Sequence, residues 1–221
     1  MTTMENDKIQ TNLLTCQMQH VDLFCLVGHH TKFGPDFLNK YNHSKNIRFS
    51  SFHKALSIAD SRNLKTFVET GTSRGKKKFF FINSLNWKDG MSTIIFAEFV
   101  KYKKGKLYSC DLSKKNIKSS IKFTKNFSNY IYFIVNDSVT FLKNFEFKID
   151  FLYLDSLDAH DKKSASLHQL NEIKSAIPHL HKNSLVLLDD KKTKGTLSLN
   201  YMLENSFKIL NETEEQILLS C

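Results

Sequence analysis

The sequence predicts an α/β fold built on a doubly wound, mostly parallel sheet of seven strands with an antiparallel C-terminal edge. Three observations lead to this prediction. From residue 65 onward, short apolar runs alternate with longer segments in which apolar residues recur at helical spacing. The first five runs each end at an acidic or polar residue. The last two runs flank a short polar turn, which favours an antiparallel pair at the edge of the sheet.

The chain is long enough for a single domain with a substantial core. It has 221 residues, of which 41% are hydrophobic, and this content excludes a largely disordered chain. The sequence contains no run of about 18 apolar residues, so no membrane span is expected. The polar N-terminus does not resemble a secretory signal. The four cysteines lack zinc-binding spacing, so we expect a reducing, cytoplasmic location. We expect residues 1–45 to form an N-terminal extension or cap and residues 46–221 the main domain.

The chain is strongly basic. Its 32 lysines and arginines outnumber 22 acidic residues and give a formal net charge of +10. Such an excess favours anionic partners, for example nucleic acid or phosphorylated substrates. The lysines are also spread along the chain, which is typical of an ordinary solvated surface. Both interpretations stay open.

Helices and strands are expected to follow one another in a regular order. The spacing of Phe52, Leu56 and Ala59 predicts a helix that leads into the first strand. Because strand and helix then alternate, the strands should lie parallel, with helices on both faces of the sheet. The predicted helices are 50–61, 91–102, 117–127 and 167–180, and the predicted strands are 66–69, 106–110, 131–135, 149–154, 185–188, 207–210 and 216–219.

The most informative segment is the turn that follows the first strand. An apolar run ends at Glu69, and Gly71 follows within a turn that reaches Gly75. Glycine allows a positive φ and a close approach of a ligand to the backbone. In open α/β sheets, ligands bind beyond the carboxyl ends of the strands. We therefore expect a cofactor-binding loop at this turn.

The connection from this turn to the next helix is unusually long. Residues 76–89 form an insertion, whereas such connections usually have about 2–6 residues. We expect a loop that acts as a lid or a substrate-binding segment. Its lysines, its phenylalanines and Trp87 are also typical of a nucleic-acid contact. In a third interpretation, the same phenylalanines are buried in the contact between two subunits of a homodimer.

Acidic residues follow the next three strands in turn. Asp111 ends the second strand, where a carboxylate can accept hydrogen bonds from two ribose hydroxyls. Asp137 follows the third strand, where it can accept from an exocyclic adenine amine. Asp155 ends the fourth strand, beside the place expected for a transferred group. This succession indicates an adenosine-containing cofactor at the carboxyl edge of the sheet.

The order of these residues resembles that of the class I S-adenosylmethionine-dependent methyltransferases, which have a Rossmann-like sheet. The resemblance covers roughly residues 65–221. A closer likeness is to small bacterial methyltransferases with the motifs Glu-Thr-Gly-Thr-x-x-Gly, Tyr-Leu-Asp-Ser and Leu-Leu-Asp-Asp, found here at 69–75, 153–156 and 187–190. The resemblance implies that the chain is an enzyme and that its cofactor is S-adenosylmethionine.

The resemblance also implies which part of the cofactor each region holds. The glycine turn would hold the methionine portion, the end of the second strand the ribose, and the end of the third strand the adenine. The insertion departs from the family pattern, because it would place Gly90 and not Gly75 at the N-terminus of the next helix and leaves the second half of the cofactor loop open. The predicted cofactor-binding residues are Glu69, Gly71, Thr72, Gly90, Ser92, Asp111 and Asp137.

Three carboxylates are expected to converge at neighbouring strand ends. Asp155, Asp189 and Asp190 would repel one another there unless they are protonated, hydrogen-bonded or bound to a cation. Mg²⁺ and similar cations prefer oxygen ligands. The arrangement resembles metal-dependent O-methyltransferases, in which the cation lowers the pKa of a substrate hydroxyl. A divalent cation at these residues is one hypothesis, and the alternative is that Asp189 caps a turn while Asp190 is solvated.

Methylation of a hydroxyl without full metal activation needs a general base. His160 follows the fourth strand and is the favoured candidate, together with Asp155 as the second predicted catalytic residue. His168 lies further along the chain and is less favoured. The alternative for His160 is a surface position in a loop.

These patterns favour a metal-assisted O-methyltransferase that acts on a hydroxylated small molecule or glycan. An RNA or other nucleic-acid methyltransferase is the main alternative, although the chain lacks an Asn-Pro-Pro-Tyr-like motif for base amines. A dinucleotide-dependent oxidoreductase is disfavoured because the first turn lacks a GxGxxG motif. A non-catalytic partner subunit that binds S-adenosylmethionine fits the same motifs.

Overall fold

The structure is a computed structural model, and the residues that it describes are 37, 40–79, 82–157 and 161–221. They lie within one compact unit that spans Pro35–Cys221. Most of the predicted N-terminal extension lies outside the described residues, so its role as a cap stays a prediction.

The described residues form alternating strands and helices. In chain order the strands are β1 (Thr66–Thr70), β2 (Lys76–Phe79), β3 (Ile82–Leu85), β4 (Lys106–Asp111), β5 (Ile131–Val135), β6 (Phe151–Leu154), β7 (Leu185–Leu188), β8 (Lys208–Glu212) and β9 (Ile217–Ser220). The helices are α1 (Phe49–Ser61), α2 (Ser92–Lys103), α3 (Lys114–Phe123), α4 (Ser138–Lys143), α5 (Lys162–Ala176) and α6 (Gly195–Glu204). Short 3₁₀ turns lie at Trp87–Asp89, Lys125–Tyr130 and Ile177–His179.

Seven of these strands form one sheet, in the order β5-β4-β1-β6-β7-β9-β8. Neighbouring strands from β5 to β7 pair in parallel, whereas β9 runs antiparallel to both β7 and β8. The prediction of a doubly wound, mostly parallel sheet with an antiparallel C-terminal edge is confirmed. In the register of this sheet Thr70 lies beside Cys110 and Leu154, so the residues that follow β1, β4 and β6 meet at one edge.

Helices cover both faces of the sheet because successive side chains of each strand alternate between the faces. On one face, the rings of Phe67 and Phe151 stack 4.6 Å apart, and Phe96 of α2 packs 5.2 Å from Phe151. On the other face, Val68 and Leu152 belong to a buried apolar cluster with residues of α4, α5 and α6. The sheet is therefore a rigid platform for the residues at its carboxyl edge.

The insertion at 76–89 differs from the predicted loop. β2 and β3 pair antiparallel as a two-stranded hairpin, and the Trp87–Asp89 turn follows it. The amide of Asn86 donates to the Gly75 carbonyl at 3.1 Å, which closes the base of the hairpin. The physical reason is that strand pairing satisfies backbone groups that a loop would leave to water.

Two helices begin earlier than predicted because capping residues extend them. Ser113 accepts a hydrogen bond from the Asn116 amide and starts α3 before the predicted residue 117. Asp161 caps the start of α5 in the same way, and the 3₁₀ turn that contains Pro178 follows its end. None of the helices in the described ranges is long and apolar enough to cross a membrane.

Candidate active site

A pocket opens at the carboxyl ends of the parallel strands. It encloses about 820 Å³, part of it open solvent. Residues that follow β1, β4, β5 and β6 line it, which is the place expected for a ligand in an open α/β sheet. Its lining residues are Gly71, Thr72, Ser73, Arg74, Asp89, Cys110, Asp111, Leu112, Asn116, Asp137, Ser138, Asp155, Ser156, Leu157 and His168.

Gly71 joins the ends of two strands at this pocket. It has a φ of +82°, and a Cβ atom added there would lie 2.2 Å from the carbonyl oxygen of Asp155. Its amide donates to the Cys110 carbonyl at 2.9 Å, and the amide of Asp155 donates to the Thr70 carbonyl at 2.9 Å. Only glycine tolerates both this φ and this contact without strain. The turn therefore holds Asp155 directly beside the loop that follows β1.

Glu69 is fully buried beneath the same loop. Its carboxylate accepts hydrogen bonds from the hydroxyls of Ser92 at 2.5 Å, Ser109 at 2.7 Å and Thr93 at 2.8 Å. Burial raises the pKa of Glu69 to about 7, although these hydrogen bonds lower it. The Thr93 hydroxyl in turn accepts from the Ser73 amide at 2.8 Å. Glu69 thus fixes the loop from below, and its side chain is not part of the pocket lining.

Asp111 lies in the pocket at the end of β4. It accepts hydrogen bonds from the amides of Ser113 at 2.7 Å and Thr72 at 3.1 Å, and from the side-chain amide of Asn116 at 3.1 Å. These donors hold the carboxylate in one orientation, while Asp111 itself stays half-buried. The predicted residues Thr72 and Asp111 therefore meet in one hydrogen-bonded corner.

Asp137 lies on the next part of the pocket wall, where it caps α4. Its side chain accepts from the Thr140 amide at 2.8 Å, and this hydrogen bond lowers the pKa of Asp137 below its ordinary value. Beside it, Ser138 lies 2.9 Å from Nε2 of His168. The His168 ring is also 3.8 Å from the carboxylate of Glu172, one helical turn further along α5.

Of the two histidines considered as a general base, His160 and His168, the described residues include only His168. His160 lies outside the described residues, so its role as a base stays a prediction. His168, which sequence reasoning favoured less, lines the pocket. Its four-residue spacing from Glu172 on one helix was the available signal, because residues at that spacing are neighbours on a helix surface.

Gly90 and Ser92 lie outside the pocket lining. Gly90 closes the Trp87–Asp89 turn with a φ of +71°, and a Cβ atom there would lie 2.9 Å from Cδ of Arg48. Ser92 is buried and donates to Glu69. Their predicted contact with the cofactor stays a prediction, while their observed contacts support the loop and leave space for Arg48.

The carboxylates of Asp189 and Asp190 converge on Arg48. Nε of Arg48 lies 2.9 and 2.7 Å from the two carboxylate oxygens of Asp189, which is fully buried. Nη2 of the same guanidinium donates to Oδ1 of Asp190 at 2.9 Å. The Tyr153 hydroxyl also donates to Oδ2 of Asp189 at 2.8 Å. Arg48 therefore bridges two of the three carboxylates that the sequence placed at this edge.

Lys194 bridges the second pair of these carboxylates. Its Nζ atom lies 3.0 Å from Oδ1 of Asp155 and 3.0 Å from Oδ2 of Asp190, and it donates to the Ser156 carbonyl at 3.2 Å. The Lys194 side chain is 2% exposed, so these contacts are shielded from water. Sequence reasoning missed both cations, because Arg48 lies 141 residues from Asp189 and lysine is rarely buried.

The metal hypothesis for Asp155, Asp189 and Asp190 is not supported. The three carboxylates do converge, as predicted, but Arg48 and Lys194 already supply the positive charge that their convergence requires. In the parts of the chain that the structure describes, no group of three or more acidic, histidine or cysteine side chains is arranged to hold a metal ion. The donor set therefore does not fit a divalent cation.

Comparison with known proteins supports the methyltransferase superfamily. A family model described as a methyltransferase domain matches residues 87–191, just under half of the chain. This match contains the strand ends at Asp111, Asp137, Asp155 and Asp189–Asp190. The match supports the predicted resemblance to the S-adenosylmethionine-dependent methyltransferase superfamily. The prediction of an enzyme that uses S-adenosylmethionine is confirmed at this level.

Solved structures of other methyltransferases share the fold. The S-adenosylhomocysteine-bound methyltransferase PaMTH1 of Podospora anserina is 14% identical, with a TM-score of 0.58 over 100% of this chain and 97% of that chain. The N-methyltransferase NodS of Bradyrhizobium japonicum WM9 is 12% identical, with a TM-score of 0.52 over 78% of this chain and 94% of that chain. No curated protein matches the chain. At these identities the likeness extends to the fold and leaves the methyl acceptor undetermined.

The pocket of this methyltransferase fits the charge of its cofactor. S-adenosylmethionine supplies a methyl group on a positively charged sulfonium. Four aspartates line the pocket, against one arginine and one histidine. Arg74 is in addition paired with Asp89 at 2.7 Å. The lining therefore favours a cationic ligand by its charge.

Glu69 provides a pH-dependent test of this arrangement. Its pKa is about 7 in the native state against an ordinary value of 4.5, so the native protein keeps the proton to higher pH than the unfolded chain does. The stabilisation is complete below pH 4.5 and is lost as the pH rises through 7. We expect the free energy of unfolding to fall by roughly 3 kcal/mol over this range, relative to a Glu69→Gln variant.

Urea unfolding of the wild type and the variant at several pH values between 4 and 8, in steps of about one pH unit, measures this difference. The exposed Glu204→Gln variant is the matched control for loss of a surface carboxylate. A Glu69→Gln difference that does not change with pH would show that Glu69 keeps its ordinary pKa.

Proposed function

We propose that this methyltransferase transfers the methyl group of S-adenosylmethionine to a hydroxyl of a small molecule or glycan. The observation that carries the proposal is the position of Asp155, which lines the pocket directly beside the Gly71 turn. Lys194 holds one carboxylate oxygen of Asp155, and among the described residues the second oxygen has only a long contact of 3.4 Å from the Tyr153 hydroxyl. A carboxylate held in this way can accept the proton of an acceptor hydroxyl.

The proposed reaction is a direct transfer. The bond from sulfur to the methyl carbon breaks while the bond from the acceptor oxygen to that carbon forms, and S-adenosylhomocysteine leaves. The hydroxyl proton moves to Asp155 and then to solvent. Burial and the nearby Asp189 raise the pKa of Asp155, whereas Lys194 and Arg48 lower it. The raised pKa suits a residue that has to take up a proton.

We propose roles for the remaining pocket residues on the same basis. Asp111, held by Thr72 and Asn116, would accept from the ribose hydroxyls. Asp137, at the start of α4, would face the adenine. Glu69 would act through Thr93 and Ser73 as a positioning residue of the loop. A small-molecule acceptor, a homodimer and a cytoplasmic location stay predictions from the sequence.

The role of Asp155 predicts a large loss of turnover in Asp155→Asn. Removal of a proton acceptor should lower kcat by about 100-fold or more, because general bases contribute factors of this order. The measurement is formation of S-adenosylhomocysteine with a panel of catechols, phenols and oligosaccharides. Asp60→Asn, which alters the Asp60–Lys103 pair outside the pocket, is the control. Turnover of Asp155→Asn within a few-fold of the wild type would contradict the role.

A nucleic-acid acceptor is the second candidate, and α3 supports it. Four lysines of this helix, Lys114, Lys115, Lys118 and Lys122, line one surface cleft, and we name them the α3 lysine face. None of them has an ion pair within the part of the chain that the structure describes. Asn116, on the same helix, lines the cofactor pocket. Unpaired lysines beside a pocket provide the phosphate contacts that a strand of RNA needs.

RNA binding measured against salt concentration tests this candidate. If the α3 lysine face binds phosphates, the triple variant of Lys114, Lys118 and Lys122 to Gln should bind a fluorescent RNA more weakly. The slope of log affinity against log salt should also fall by about two to three. The matched control changes three other exposed lysines, Lys54, Lys143 and Lys182, to Gln. Equal losses in both triple variants would show nonspecific attraction by the net charge.

A further inference from the structure

The carboxylates at the ends of β6 and β7 form a chain of alternating charge. The order along it is Asp189, Arg48, Asp190, Lys194 and Asp155. Each cation bridges two carboxylates, and each of these bridges is 2.7–3.0 Å long. Three negative and two positive charges leave a net charge of −1 on the five groups.

Nearly all carboxylate oxygens of these three aspartates are in contact with a cationic side chain. Arg48 takes both oxygens of Asp189 and Oδ1 of Asp190, and Lys194 takes Oδ2 of Asp190 and Oδ1 of Asp155. Oδ2 of Asp155 is left with only the long Tyr153 contact, and Asp155 is the member of the chain that lines the pocket. Among the described residues, this oxygen alone of the six has no cationic partner, and it belongs to the residue that lines the pocket.

Local backbone structure places both cations with little freedom. Arg48 is the residue before α1, and the absence of a side chain at Gly90 leaves space for its stem. Lys194 is the residue before α6, and its amide donates to the Asp190 carbonyl at 2.8 Å. Asp190 itself has a φ of +49°, which turns the chain sharply after β7. The contacts are thus set by three separate segments and do not depend on flexible surface side chains.

A divalent cation would have to compete with these two side chains. It would need the same carboxylate oxygens, and it would sit within about 3–4 Å of an ammonium or guanidinium group in a shielded site. Like charges repel strongly at such distances where water is excluded. Arg48 and Lys194 are 13% and 2% exposed. Arg48 cannot swing away without leaving the buried Asp189 unpaired, and the Lys194 ammonium is itself shielded from water by its surroundings.

We propose that Lys194 and Arg48 are permanent counter-ions in place of a divalent cation, and that Lys194 is the positioning residue of Asp155. The binding part of this inference stands on the charge chain alone. The effect on methyl transfer rests on the proposed function, because it assumes that Asp155 accepts the proton. Wild-type turnover should accordingly be unaffected by EDTA.

Calorimetric titration with Mn²⁺, in the presence of S-adenosylhomocysteine, tests the binding part without any acceptor. The wild type should give no binding heat at millimolar Mn²⁺. Lys194→Met keeps most of the side-chain volume but frees oxygens of Asp155 and Asp190, so it should bind Mn²⁺ at least about ten-fold more tightly than the wild type. Lys194→Arg keeps the charge and should resemble the wild type. Lys191→Met, which removes a lysine paired with Glu212, is the matched control.

Two results would overturn the inference. One is a wild type that binds one equivalent of Mn²⁺ and loses this binding in Asp155→Asn. The other is a Lys194→Met variant that still gains heat stability from S-adenosylhomocysteine, and so is folded, but binds Mn²⁺ no better than the wild type. If Lys194→Met does not fold, Lys194→Gln takes its place, and the wild-type titration decides in either case. Failure of every tested acceptor would contradict only the proposed function.

Discussion

The structure depends on compensation of charge where β6 and β7 end. Both strands are buried on both faces, and each is followed by aspartates at the carboxyl edge. Carboxylates brought together in a shielded place destabilise the fold unless they are neutralised. Arg48 and Lys194 provide that neutralisation from the residues that precede α1 and α6. Removal of one partner of such a buried pair typically costs about 3–5 kcal/mol, a large fraction of a domain's stability.

The same principle governs the loop after β1, beside the pocket, with hydroxyl groups in place of cations. Glu69 has no basic partner among its hydrogen bonds, and three hydroxyl groups donate to it instead. Hydroxyls stabilise a buried carboxylate less than a full positive charge does, so its pKa rises to about 7. The site therefore contains two buried acidic centres with different chemistry, one paired with cations and one held by neutral donors. The pocket is lined by Asp155 and by the Gly71 turn, which packs against the Asp155 carbonyl at the end of β6.

The sequence predicts much of this fold but little of the charge pairing. Alternating apolar runs predict the strands, and parallel strands share one carboxyl edge, so the convergence of Asp155, Asp189 and Asp190 could be predicted. Their partners could not, because the Arg48 contact spans 141 residues and depends on how α1 packs. The hairpin of β2 and β3 was not predicted, because residues 76–89 were interpreted as a long loop between the first strand and the next helix. His168 was undervalued because its place in the pocket depends on how α5 packs beside Ser138, 30 residues earlier in the chain.

A double-mutant cycle between Arg48 and Asp189 tests the central role of this charge pairing most directly. Urea unfolding of the wild type, Arg48→Met, Asp189→Asn and the double variant gives the coupling free energy between the two side chains. If the pair holds the strand ends together, each single variant should lose about 3–5 kcal/mol, and the double variant should lose at least about 2 kcal/mol less than the sum. Additive losses, with a coupling within about 0.5 kcal/mol of zero, would contradict this account.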